Sequence, residues 1–172
     1  MPATPKHLSQ RSWIELILLL WAIDQAIKWG VTQTMQLHDS LPIVPGFNWV
    51  YILNPGAAFS FLADAGGWQR YFFTALSVTV SAVLGTLLWR GVASRLQALA
   101  YSLLIAGALG NAMDRLHIGA VVDYIDLYWR NWHWPAFNFA DICVSLAALL
   151  LALGAWWPGT PRQTKEGERH AV

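Results

Sequence analysis

Acidic and amide side chains recur in this chain where apolar residues surround them. Asp24, Asp114 and Asp141 stand inside or at the ends of apolar runs, and Asp123 stands in the connection between two of those runs. Asn111 and Asn138 stand close by in sequence, and Asn54 punctuates an earlier apolar stretch. An ionisable group in an apolar medium is costly, so each is a candidate for function. Two carboxylates brought together can share one proton, because like charges a few ångströms apart resist simultaneous ionisation. The ionised member then acts as base on a water molecule while the protonated one polarises a carbonyl. Competing chemistries find little support. There is no HExxH and no GxSxG. His7 and His170 lie in the tails, and His38, His117 and His133 are scattered without metal-ligand spacing, so no metal and no cofactor is expected. A Ser–Lys mechanism through Lys28 is conceivable, but Asp24 is its nearer partner.

Spacing groups these residues. Asp24 and Lys28 are four apart with the acid first, the favoured order for an ion pair on one helical face. That pair either lets a helix end or supports a site. Ser102, Ala106, Gly110 and Asp114 recur every four residues, a stripe of small side chains that lets another helix approach. Asn111 and Arg115 are also four apart. Arg115 keeps its charge and offers a planar fork of donors, suited to a carboxylate or a peptide carbonyl. Support is the reading for Asp114, binding for Arg115. Asn138, Asp141 and Ser145 share a face at offsets of three and four. Asp141 lies one turn inside FNFADICVSLAALLLALGAWW and is the most expensive acid in the chain. A helix dipole would favour it there, although Asn138 could serve as the cap instead. Asp123 and Asp126 fall in an alternating VVDYID segment, and either could be a solvated loop acid. Spacing alone does not choose between them.

The elements that must position these groups are membrane spans. Of 172 residues, 56% are hydrophobic, 12% are charged and eleven are Trp. A soluble domain carries about a quarter charged residues, so the chain reads as one solvated by lipid. A net charge of +1 and the absence of a basic, aromatic-interleaved stretch argue against nucleic acid. The single cysteine, Cys143, excludes an intramolecular disulfide and reads as a small buried hydrophobe. Four stretches approach the length needed to cross a bilayer, at about 12–30, 68–89, 96–113 and 136–157. The first, preceded by Lys6 and Arg11, resembles a signal peptide but has no cleavage site, and is read as an uncleaved span. Lys and Arg collect in the N-terminal tail, at Arg90 and Arg95, and in the C-terminal tail. The connection 31–67 has none, and 114–135 has only Arg115 and Arg130. Both termini are therefore expected in the cytoplasm and both long connections outside. The expected fold is an all-α membrane protein of four helices, with a small β-like or interfacial segment between the first two. Trp49 to Leu53 reads as a strand and Asn54-Pro55-Gly56 as a turn. Residues 1–157 form one domain, and 158–172 read as a disordered cytoplasmic tail.

Taken together, these stretches resemble the bacterial lipoprotein signal peptidase family, also called signal peptidase II. The resemblance is carried by Asp24-Gln25-Ala26-Ile27-Lys28, by Asn54 to Ser60 (NPGAAFS), by Gly110 to Arg115 (GNAMDR), by Val121 to Ile125 (VVDYI) and by Phe137 to Asp141 (FNFAD). It implies an aspartic endopeptidase of the bacterial inner membrane that cleaves diacylglyceryl-modified prolipoproteins before the lipidated cysteine. The implied catalytic pair is Asp123 and Asp141. Asn54, Gly56, Asn111, Arg115 and Asn138 fall on positions that hold substrate or the pair, with Asp24, Lys28 and Asp114 as structural support. The resemblance also implies lipidated substrates, contact with membrane lipid, action as a monomer and sensitivity to globomycin-type inhibitors. Ile142-Cys143 departs from the small residues common after the second Asp. Two other classes compete: a small proton-coupled transporter, which would spread its acids through the bilayer depth, and a structural subunit, which would leave Asp141 unexplained.

Overall fold

The computed structural model describes residues 9–56, 66–92 and 94–156. Along the chain run α1 (Gln10–Thr34), β1 (Ser40–Val44), β2 (Phe47–Asn54), α2 (Gln69–Arg90), α3 (Arg95–His117), β3 (Val121–Trp129), β4 (Trp132–His133) and α4 (Phe139–Trp156). The expected tail, 158–172, and residues 57–65 of the apolar connection lie outside the described residues.

Four helices form among the described residues, with bounds shifted from the expected stretches for local reasons. α1 begins at Gln10 because the Ser9 hydroxyl accepts from the N–H of Ser12, satisfying one of the free donors of the first turn. It continues past Gly30 because Val31 is buried against Val122 and Tyr124 of β3. α4 starts at Phe139 rather than near 136, because Phe137 is extended and bridged to Ile125. α2 and α3 are long and apolar enough to cross a membrane, while α4 contributes a shorter apolar stretch, Phe139–Ala155. Large apolar side chains such as Leu18, Leu19, Leu76, Val83, Leu149 and Leu153 face outward. That arrangement is stable in lipid and unfavourable in water.

α3 is the central helix and packs against the other three. Its small residues make this possible. A Cβ on Gly107 would run into the Ala140 carbonyl of α4, and one on Gly110 would lie 2.5 Å from Asp24 Oδ2 of α1. Of the expected stripe, Gly110 thus meets α1 at Asp24 and α4 at the Ala140 side chain, 3.4 Å from that Cβ position. Ser102, Ala106, Gly110 and Asp114 are all buried.

The β structure differs from expectation. The segment between the first two helices does not stand alone: the sheet order is β1-β2-β3-β4, so half its strands come from the connection between α3 and α4. An isolated β1–β2 hairpin would leave a row of backbone N–H and C=O groups of β2 without partners, and antiparallel pairing with β3 supplies them. Phe139 packs against both the cluster under the sheet (Val31, Val122, Tyr124) and the cluster between helices (Leu103, Cys143, Ala147). The polar residues gather at that level.

Candidate active site

The site begins with a helix cap. Asn138 precedes α4, and its Oδ1 accepts from the N–H of Asp141 at 2.9 Å. Asp141 Oδ2 accepts in return from the N–H of Asn138 at 3.2 Å. This reciprocal pair is a capping box, in which residues three apart satisfy each other's free backbone donors. The two roles weighed against each other from the sequence are therefore both filled: Asn138 caps, and Asp141 stands in the first turn where the helix dipole attracts negative charge.

The same Asn138 side chain reaches the other acid. Its Nδ2 donates to Asp123 Oδ1 at 2.7 Å, and Asn54 Nδ2 donates to Asp123 Oδ2 at 3.2 Å. β2–β3 pairing accounts for the second contact, with Ile52 opposite Asp123 and Asn54 opposite Val121. Asp123 is 2% exposed, whereas Asp141 is half-buried. Burial, and then the neighbouring charge of Asp141, push the Asp123 carboxyl up to about 7. Strand alternation separates Asp123 from Asp126, which lies three residues on and points to the opposite face. There Asp126 accepts from Asn48 Nδ2 at 2.7 Å and meets His133 Nδ1 at 2.9 Å.

Around the two acids stand the other expected residues. Asn111 Nδ2 donates to Asp141 Oδ1 at 2.8 Å, and Asn138 Nδ2 also reaches Asn111 Oδ1 at 3.2 Å. Arg115 donates to the carbonyl of Gly56 at 2.9 Å, and the Gly56 N–H donates to Asn54 Oδ1 at 3.0 Å, so Arg115 fixes the turn that aims Asn54. Beneath lies a buried cation. Lys28 is 3% exposed and meets Asp24 at 2.9 Å and Asp114 at 2.8 Å. Lys28 is thus paired with Asp24 and Asp114 rather than with a serine. Ser145 has turned onto the wall of a groove.

That groove is the part the sequence reading missed. A cavity of about 580 Å³ opens beside Asp141, with Asn54, Asn111 and Arg115 at its polar end. It continues down α4 along Ile142, Ser145, Leu146 and Leu149. The offsets 0, 3, 4 and 7 were available in the sequence as one helical face, but in an all-round apolar helix no face stands out. Gln25 and Tyr124 were also missed. Gln25 donates to Asp24 at 3.1 Å and to the Gly110 carbonyl at 3.3 Å, while the Tyr124 hydroxyl accepts from the Phe139 N–H at 3.0 Å. Burial pushes the Tyr124 phenol upward, which keeps it protonated. Among the described residues, no three His, Cys, Asp or Glu side chains converge as metal ligands would.

A helical bundle that is apolar outside and carries an acid pair at the head of an apolar groove has the build of an integral membrane enzyme. Solved structures agree: the chain is similar, at TM-score 0.76 and 28% identity over 94% of each chain, to one described as a bacterial membrane enzyme structure. The family model for signal peptidase II matches residues 16–157, and the chain belongs to that family. It is 50% identical over 145 residues to the lipoprotein signal peptidase of Serratia marcescens, covering 84% of this chain and 85% of that one. With the lipoprotein signal peptidase of Actinobacillus succinogenes it shares 46% identity over 162 residues, covering 94% and 99%.

Proposed function

We propose that this chain is an aspartic endopeptidase that removes signal peptides from diacylglyceryl-modified prolipoproteins, cutting before the lipidated cysteine. Asp123 and Asp141 activate the water, with no covalent intermediate. The observation that carries this reading is the grip of one residue, Asn138, on both carboxylates at the mouth of an apolar groove. Asp123 is the buried member, raised to about 7, and holds the shared proton. Asp141 faces the groove, in the first turn of α4, and takes the proton of the attacking water. Asn54, Asn111, Arg115 and Asn138 orient the pair and the scissile peptide. The apolar wall along Ile142, Leu146 and Leu149 takes the hydrophobic part of the substrate.

Four helices spanning the bacterial inner membrane, with both termini cytoplasmic, fit this chemistry. Gln10 Nε2 donates to the Trp89 carbonyl, so the start of α1 and the end of α2 share one end of the bundle, where Arg11 and Arg90 also lie. The sheet and the acids lie at the other, outward end. Residues 1–157 act as one peptidase domain and as a monomer, followed by a cytoplasmic tail, and globomycin-type inhibitors compete for the groove. A proton-coupled transporter is the weaker reading, because the buried acids collect at one level of the bundle.

The test is purified protein incubated with lipidated and unlipidated prolipoprotein. Cleavage of the lipidated form alone is expected. Asp123→Asn and Asp141→Asn should each lower turnover on the order of a thousandfold or more while the protein still inserts. Full turnover by either variant would sink the reading.

A further inference from the structure

Lys28 is buried and lies next to none of the reacting groups, yet each of its contacts leads to one of them. Its ammonium has three hydrogens and no acceptor, and it finds three acceptors: Asp24 Oδ2 at 2.9 Å, Asp114 Oδ2 at 2.8 Å and Asn111 Oδ1 at 2.9 Å. Asp24 Oδ1 accepts at 3.0 Å from the N–H of Ala140, the residue before Asp141. Asp114 Oδ2 accepts at 3.1 Å from the N–H of Val122, the residue before Asp123. Asn111 itself donates to Asp141. The third contact also fixes an amide orientation. A group that can only donate must face the Asn111 carbonyl, so the Asn111 NH₂ is left facing Asp141.

We infer that Lys28 is the positioning residue of the acid pair: one ammonium holds the backbone before each carboxylate and the amide that orients Asp141. This goes beyond a structural ion pair and rests on the peptidase reading above. α1 supplies the cation, α3 the Asp114 and Asn111 acceptors, and β3 and α4 the two backbone segments being held. Segments of α1, α3, β3 and α4 thus meet through one charge. Its removal would let β3 and the head of α4 drift apart while the groove that takes substrate stays intact. A displacement of about 1 Å at the reacting groups can cost on the order of a hundredfold in rate.

The experiment is steady-state cleavage of a lipidated prolipoprotein by Lys28→Met. The expected result is a kcat loss on the order of a hundredfold with KM for substrate little changed. The pH profile adds a readout that a merely structural role would not move. Asp123 is faced by Asp141 from α4 and by Lys28 from α1, with Arg115 on α3 and Asp24 and Asp114 around Lys28. Loss of the Lys28 charge removes an interaction that lowers the Asp123 carboxyl, so the limb that Asp123 sets moves to higher pH. Should Lys28→Met fail to insert, Lys28→Met with Asp114→Asn removes a buried anion together with the cation and keeps an acceptor for Val122. It should insert and show the same loss. Wild-type kcat and an unmoved profile in whichever variant inserts would overturn the inference. Asp141→Asn run alongside keeps two failures apart: if it stays active the peptidase reading falls, and if it is dead while Lys28→Met is fully active only the role of Lys28 falls.

Discussion

The two carboxylates differ in what surrounds them. Asp123 sits in a sheet with amide donors on both oxygens, and its carboxyl is raised from 3.8 to about 7 by burial and by Asp141. A carboxyl raised on folding binds its proton more tightly in the folded state. The stability this contributes is fully present below about 3.8 and is lost as pH rises through about 7. Asp123→Asn removes that dependence. Its melting temperature in detergent should therefore fall less than the parent's between mildly acidic and mildly alkaline buffer, and parallel curves would count against a buried, protonated Asp123. Asp126, three residues on, is tied to Asn48 and His133 on the opposite face. Asp126→Asn should keep most of the turnover that Asp123→Asn loses, and equal damage would reopen the choice between them.

Among the elements, the start of α4 carries two duties that a mutation can separate. Asn138 caps the helix with its oxygen and holds Asp123 with its nitrogen. Asn138→Asp keeps a capping oxygen but sets a third carboxyl against Asp123 in place of the NH₂, so it should lose turnover. Asn138→Ala loses both, with about 1 kcal/mol of helix stability gone as well. Equal activity for the two side chains Asn and Asp in a cleavage assay would detach the cap from the chemistry. The sheet has a comparable double function. β2 pairing with β3 satisfies two backbones, and it also places Asn54 beside Asp123.

On the proposed reading, the whole molecule brings an apolar substrate to water-using chemistry. Its outer surface is apolar along the helices, its groove descends α4 from the acids, and Asp24, Lys28 and Asp114 form one buried, ion-paired cluster. Water activation by two carboxylates needs no metal. Turnover should be unchanged by EDTA, and loss with rescue by a divalent ion would reveal a centre of another kind.

Much was legible before any coordinates. A helical fold, the Asp24–Lys28 pair at i and i+4, the small stripe of α3 and the Asn138-x-x-Asp141 spacing all follow from local periodicity, because helical neighbours lie three and four residues apart. The motifs singled out Asp123 and Asp141 together. Tertiary structure decided what local spacing does not encode. That β3 joins β2, that Asp123 rather than Asp126 turns to Asn138, and that Lys28 reaches Asp114 and Asn111 are contacts between residues far apart in sequence. Sequence patterns record which face a residue takes on its own element, whereas the partner of that face is chosen only when the elements pack.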